Sequence, residues 1–295
     1  MIYICVLNYN NVDDTIACLQ SLMRLRQVEY HILLIDNASE PECVEQLADY
    51  AKGNAKITFL PQMKNRGYAG GNNVAIKYAM EQGDCDFIWI LNNDTLVEPD
   101  SLYYLVQYMQ IHRDVGLCGS KIIYDWDRTQ LQGYGGFYNH WIGGVSNCLE
   151  VEDIQRIDYV IGAAVFIRKE FIEQVGLMCE DYFLYFEELD WAERAKGKFT
   201  LGCEPHSVVY HKEGASMGGH AFRPSQRSLL ADYFGIRNRL LFTRKFYPMC
   251  LPLIYMTMIV AIWHRIWRRQ YSRVPMILKL MLGKHDKRFE PMDKC

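Results

Sequence analysis

The stretch that most constrains the fold is Phe87-Ile88-Trp89-Ile90-Leu91, an apolar run without a charge that stops at Asn92-Asn93-Asp94. Such a run reads as a strand buried on both faces, the kind found inside parallel sheets. In open α/β sheets, ligands bind in the crevice beyond the carboxyl ends of the strands. Asp94 is therefore placed where a metal or a phosphate would sit. The competing reading is a polar turn ahead of the helix that follows Pro99.

The preceding residues alternate in the same style. Ile2–Leu7, Tyr30–Asp36 and Ile57–Leu60 read as strands. Asn11–Met23, Val44–Ala51 and Gly71–Gln82 carry helical spacing, and Asp13 and Asp14 fall in the first turn of the first helix. Strands and helices in alternation with short connections imply right-handed βαβ units and a parallel sheet. Strands one, two and four each end in a polar cluster: Asn8-Tyr9-Asn10, Asp36-Asn37-Ala38-Ser39 and Asn92-Asn93-Asp94. A crevice shared by those three ends would make a nucleotide site. The dinucleotide fingerprint G-x-G-x-x-G is missing from the first βα turn, which argues against hydride transfer. Glycines come later, in Asn65-Arg66-Gly67-Tyr68-Ala69-Gly70-Gly71-Asn72-Asn73, where backbone N–H groups at a helix start would suit a phosphate.

Composition narrows the class. With 50% hydrophobic and 23% charged residues the chain is globular rather than disordered. Its net charge of -3 gives no reason to expect nucleic acid as a partner. The 10 cysteines show neither metal spacing nor a disulfide framework, and they read as buried thiols. The first residues, Met1-Ile2-Tyr3-Ile4, look like a strand and not a secretion signal, so cytoplasmic residence is expected.

Beyond about residue 115 the pattern changes. Gly116–Tyr124 and Tyr134–Val145 look like irregular antiparallel strands and loops, and Tyr159–Arg168 like a strand around a close backbone approach. In Tyr182-Phe183-Leu184-Tyr185-Phe186-Glu187-Glu188-Leu189-Asp190, three carboxylates follow an aromatic run. Acids in a first helical turn favour the helix dipole, which is one reading. The other is a general base against an aromatic wall, with a pKa raised by burial. Only one of Glu187 and Glu188 can face the crevice. Downstream, a short strand Ser207–His211 ends at a histidine, ahead of a Gly-bearing loop.

Taken in order, Leu7-Asn8-Tyr9-Asn10, Ile35-Asp36-Asn37-Ala38-Ser39, the Asn65–Asn73 segment, Leu91–Thr95, Phe186–Asp190 and His211-Lys212-Glu213-Gly214-Ala215-Ser216 resemble family 2 glycosyltransferases, with the rhamnosyltransferase-like branch nearest. The resemblance spans roughly Met1 to Arg244. It implies a GT-A fold, α/β with a Rossmann-like, mostly parallel central sheet flanked by helices, and inverting transfer from a nucleotide sugar. Donor contacts would come from Asn8, Asn10, Asp36, Asn37, Asn65, Arg66, Gly71, Asn72 and Asn93. Asp94 matches the last residue of a D-x-D motif and His211 a second contact to the metal or diphosphate, with Mn²⁺ or Mg²⁺ as the cofactor. Glu188 matches the base that deprotonates the acceptor, and Glu187 and Asp190 are the alternates. The chain departs from the pattern at Asn92, which stands in the first D-x-D position, and at Glu188, one methylene longer than Asp.

The domain division expected is 1–236 for the catalytic unit, split near 115 into donor and acceptor halves, and 237–295 for a basic, apolar tail. Phe246–Trp263 is uncharged but at the short end of what spans a bilayer, and basic residues flank it. A helix lying on or dipping into an anionic cytoplasmic leaflet through residues 246–273 is expected, against the alternative of an ordinary packed helix. A glycan or lipid-linked acceptor would accompany it. Three functions stay open: the transferase, a non-catalytic scaffold of the same fold, and a nucleotidyltransferase.

Overall fold

The structure is a computed structural model and describes residues 1–213, 228–286 and 288–289. Gly214-Ala215-Ser216, the end of the last motif, lies outside them.

The first half builds four parallel strands: β1 (Ile2–Asn8), β2 (Tyr30–Asp36), β3 (Ile57–Pro61) and β4 (Phe87–Asn92), in the order β3-β2-β1-β4. They are joined by α1 (Val12–Leu22), α2 (Pro41–Lys52) and α3 (Gly67–Glu81). Local chemistry explains the boundaries. The Asn11 side chain caps α1 by accepting from the Asp14 N–H, and Pro41 opens α2, where its missing N–H costs nothing.

After β4 come β5 (Thr95–Val97), α4 (Ser101–Ile111) and β6 (Val115–Tyr124), then β7 (Leu131–Gly133) and the hairpin β8 (Gly135–Asn139) with β9 (Gly144–Cys148). β10 (Ala164–Arg168), α5 (Lys169–Val175), α6 (Glu187–Ala195) and β11 (Thr200–His211) complete the central unit. β10 inserts antiparallel between β4 and β6, and β11 runs parallel beside β6 and carries β5 on its outer edge. β6 is thus an interior strand of the main sheet, not the irregular element its glycines imply. Gly116 and Gly119 let Phe171, Phe199 and Val160 pack directly on its backbone.

The unbroken apolar run of β4 now has its reason. Trp89 and Leu91 face a core with α1, α2 and α4, whereas Ile88 and Ile90 face a second core with α3, α5 and α6. Both faces of the strand exclude water, so neither tolerates a polar side chain.

The glycine segment enters its helix earlier than the expected Gly71, because α3 starts at Gly67. Gly67 has φ +69°, and a Cβ there would lie 2.3 Å from the Phe183 carbonyl oxygen. A Cβ on Gly71 would lie 2.5 Å from Leu7 Cδ1. These glycines pack α3 against β1 and against the loop ahead of α6. Gly71 therefore lets α3 pack closely on β1.

The 236/237 division cuts α7 (Leu229–Phe246), which Ser228 caps. α7 joins α8 (Leu251–Trp267) and α9 (Val274–Met281) in a third cluster that also takes in Phe183. Of the basic residues expected to flank the apolar run, Arg265 and Arg273 turn inward and clasp buried Asp232. Lys245 reaches back to Asp190. The last helices are thus knitted to the catalytic unit.

Candidate active site

The carboxyl ends of β1, β2 and β4 meet in one polar network. Asn8 Nδ2 donates to Asp36 Oδ2 at 2.7 Å, and Asn8 Oδ1 accepts from Thr15 Oγ1 at 2.8 Å. Asn93 Nδ2 donates to Thr15 Oγ1 at 2.9 Å. Asp36 is fully buried, and it accepts from both the backbone N–H and the hydroxyl of Ser39. Asn10 is exposed at φ 52° and accepts from the Glu40 N–H. Asp36 and Asn93 therefore shape the floor, while Asn10 and Tyr9, 42% exposed, present surface to a ligand. Tyr9 is an aromatic between two asparagines at a strand end, and its exposed ring suits stacking on a nucleobase.

Around the start of α3 the polar side chains mostly brace the backbone. Asn37 accepts from the Arg66 N–H and donates to Asn65 Oδ1 and to the Gly67 carbonyl. The Arg66 guanidinium pairs with Glu180 at 3.2 Å. Asn72 is buried within α3, donates to the Tyr68 carbonyl and leaves its Oδ1 without a partner. Of the expected donor contacts, Gly71 and Asn72 thus lie in the interior of α3.

Asp94 and His211 come together across the crevice, with Asp94 Oδ1 3.3 Å from His211 Nε2 and both residues buried. β11 delivers His211 because it pairs with β5, which follows Asp94 directly, and the Lys212 N–H donates to the Asp94 carbonyl. Gln132, also buried, holds the ring in place: its Oε1 lies 2.9 Å from His211 Nδ1. An amide oxygen only accepts, so Nδ1 donates to it while Nε2 faces Asp94. Neighbours of this kind orient histidine ligands in metal sites. No motif pointed to Gln132, since its partner is 79 residues away.

These residues fit a divalent cation held jointly with phosphate oxygens. Among the described residues no three His, Cys, Asp or Glu side chains converge on one point. Two cis ligands on an octahedral ion with bonds of about 2.1 Å lie ~3 Å apart, close to the separation of Asp94 and His211. A cation that keeps most of its shell for substrate phosphates and water needs few protein ligands.

Glu188 stands in the first turn of α6. The residue is half-buried, and its carboxylate presses on Gly162: a Cβ there would fall 1.7 Å from Glu188 Oε1. Tyr68 donates its hydroxyl proton to the Gly162 carbonyl, and the Asn92 N–H donates to the Ala163 carbonyl. One short segment, Gly162-Ala163, therefore links the Glu188 carboxylate to the Asn92–Asp94 end of β4. Burial pushes the Glu188 pKa up to about 7. The phenols of Tyr68 and Tyr159 are held above their ordinary range by burial first and by the Glu188 charge second.

The alternates are placed otherwise. Glu187 is fully buried with neither carboxylate oxygen hydrogen-bonded, and burial followed by the charge of Glu188 holds its pKa well above the usual carboxylate range. Asp190 is fully buried and bound by Tyr182, Arg194 and Lys245. Bound in this way, Asp190 is a strut between α6 and α7.

The loop that presents Glu188 is unusual. Phe183, Tyr185 and Phe186 all have positive φ, conformations that are strained for large side chains. Asn238 of α7, fully buried, holds it there by donating from Nδ2 to the carbonyls of Tyr182, Leu184 and Tyr185 at 2.8, 2.7 and 3.0 Å. Asn238→Ala should cost about 2 kcal/mol of stability, since it leaves buried acceptors unmatched. It should also lower kcat more than it weakens donor binding, because the base loop relaxes while the β-strand ends stay in place. Thermal unfolding and donor titration on the same variant check both parts.

Comparison with known proteins gives the family. Residues 3–176 match the family described as Glycosyl transferase family 2, and the chain belongs to that family. It is 23% identical over 276 residues to dTDP-rhamnosyl transferase RfbF of Shigella flexneri, covering 88% of each chain. Among solved structures it resembles GalNAc-T7 with UDP, GalNAc and Mn²⁺, with a TM-score of 0.61 and 17% identity over 72% of this chain and 43% of that one. It also resembles the mannosyltransferase PcManGT from Pyrobaculum calidifontis in complex with GDP-Man and Mn²⁺, with a TM-score of 0.57 and 13% identity over 95% and 84% of the two chains. The fold is GT-A, and the protein is a glycosyltransferase.

Proposed function

We propose that this enzyme transfers a sugar, with inversion, from a nucleoside diphosphate sugar to a glycan or lipid-linked acceptor in the synthesis of a surface polysaccharide. The observation that carries the reading is the pairing of Asp94 with His211 and of Glu188 with Gly162, joined through the Asn92–Ala163 hydrogen bond. Asp94 and His211 would hold Mn²⁺ or Mg²⁺, which supplies positive charge against the leaving diphosphate. Asn8, Asn10 and Asp36 shape the nucleoside end, with Tyr9 as the stacking surface. Glu188 accepts the proton of the acceptor hydroxyl. That oxygen forms its bond to the anomeric carbon as the bond to the diphosphate breaks on the opposite face, which inverts the centre. The likeness to a dTDP-rhamnosyl transferase supports dTDP-rhamnose as the first donor to test, with UDP-hexoses next. The enzyme would act at the cytoplasmic face of the inner membrane, where a lipid-linked acceptor is held.

Thermal shift of the purified protein against a panel of nucleotide sugars, with and without Mn²⁺, tests the reading. One donor should stabilise strongly and only with the cation, and that donor should label an acceptor. A protein indifferent to every donor and to Mn²⁺ would be a scaffold on a transferase fold.

A further inference from the structure

The exposed face of α8 is apolar in a way that no residue of the crevice explains. Ile254 and Met258 are buried against the third cluster, while Leu253, Met256, Val260, Trp263 and Trp267 lie 40–72% exposed. Their spacing of three, four, three and four residues draws one apolar stripe along the helix. Leu278 and Leu282 continue apolar exposure at α9. Patches of this kind on a folded protein mark an interaction surface.

We infer that this stripe seats α8 flat in the interface of an anionic lipid bilayer. Charge selects the partner. Residues 233–285 hold ten Lys and Arg and no Asp or Glu. Arg268 and Arg269 are exposed directly after the stripe, and Trp263 and Trp267, whose rings favour the water–lipid boundary, sit at the same end. Basic residues at the edge of an apolar face fit acidic headgroups. A second copy of the chain would instead oppose two acid-free surfaces.

The same contacts exclude a span. By length and composition, Pro248–Trp267 could cross a membrane. However, Ile254 and Met258 would have to leave the protein core, and Arg265, in the last turn of the helix, would have to release Asp232. The apolar part ahead of His264 measures only ~20 Å, against a hydrocarbon core of about 30 Å. The inference rests on the membrane-side acceptor proposed above for its purpose but not for its test.

Full-length protein is floated with phosphatidylcholine vesicles, with and without phosphatidylglycerol, at low and high salt. Binding should require phosphatidylglycerol, weaken with salt, and shift tryptophan emission to the blue. The Met256→Glu/Val260→Glu double variant should lose binding at least tenfold, while its melting temperature and its stabilisation by donor and Mn²⁺ match the wild type. Arg268→Gln/Arg269→Gln should keep the fold and lose the phosphatidylglycerol dependence. Three results would overturn the inference: wild-type protein that never floats, protein on vesicles that resists alkaline carbonate extraction, or a dimer in solution that the double variant converts to a monomer. Loss of donor binding with vesicle binding intact would instead sink the transferase reading and leave this one standing.

Discussion

Glu188→Gln should lose about 10²–10⁴-fold in kcat while donor binding in the presence of Mn²⁺ stays near wild type. The substitution keeps the shape that Gly162 accommodates and removes only the basicity. Wild-type kcat/KM should fall on the acid side of a pKa of about 7, because the base works only when deprotonated and burial has raised its pKa. In Glu188→Gln that limb should vanish from the residual rate. Gly162→Ala gives an independent check: its Cβ occupies the position of the carboxylate, so the side chain must move and kcat should drop with Glu188 still present. If Glu187→Gln is dead and Glu188→Gln active, the roles are exchanged. A linked stability effect has a definite sign. Both glutamates titrate higher in the folded state than the 4.5 of an ordinary glutamate. Their contribution to stability is complete below that value and is lost as pH rises through the folded pKa values. Glu187→Gln should therefore match or exceed the wild type in melting temperature at pH 8, with the gap closing toward pH 4.

Asp94→Ala should abolish transfer and remove the stabilisation by nucleoside diphosphate that depends on Mn²⁺. It deletes the sole carboxylate of Asn92-Asn93-Asp94. His211→Ala should weaken the cation dependence in the same assay. Gln132→Leu should do so less, about 10-fold, because it frees the ring orientation without removing a ligand. That ordering, Asp94 and His211 above Gln132, separates a metal pair from a structural ion pair. Full activity of Asp94→Ala in EDTA would remove the cation from the reaction altogether.

Asn92→Asp would restore a second carboxylate in that segment. Its amide lies 3.5 Å from His211 Nε2 and its backbone N–H holds the Ala163 carbonyl, so the side chain already faces the site. Tighter Mn²⁺ binding in a metal titration is the expected outcome.

Local pattern determined the first half of this protein. Apolar runs of strand length, helix spacing between them and polar residues at three strand ends placed β1, β2, β4 and Asp94, because a strand buried on both faces cannot carry charge. The ordered motifs pointed to Glu188 over Glu187, and the structure puts its carboxylate on Gly162. Tertiary structure decided what depends on contacts far apart in sequence. Gly71 and Asn72 turned inward because α3 packs on β1, which a glycine-rich stretch does not reveal. Asp190 became a strut through Lys245, 55 residues on, and Asn238 holds the loop ahead of α6 from 53 to 56 residues away. Gln132 reached His211 because β6 lies beside both β7 and β11. Basic residues after Arg237 looked alike in sequence, yet Arg265 and Arg273 neutralise Asp232 while Arg268 and Arg269 face solvent. Composition records that charges and apolar residues are present; only packing determines which of them are already satisfied inside the protein and which are left for a partner.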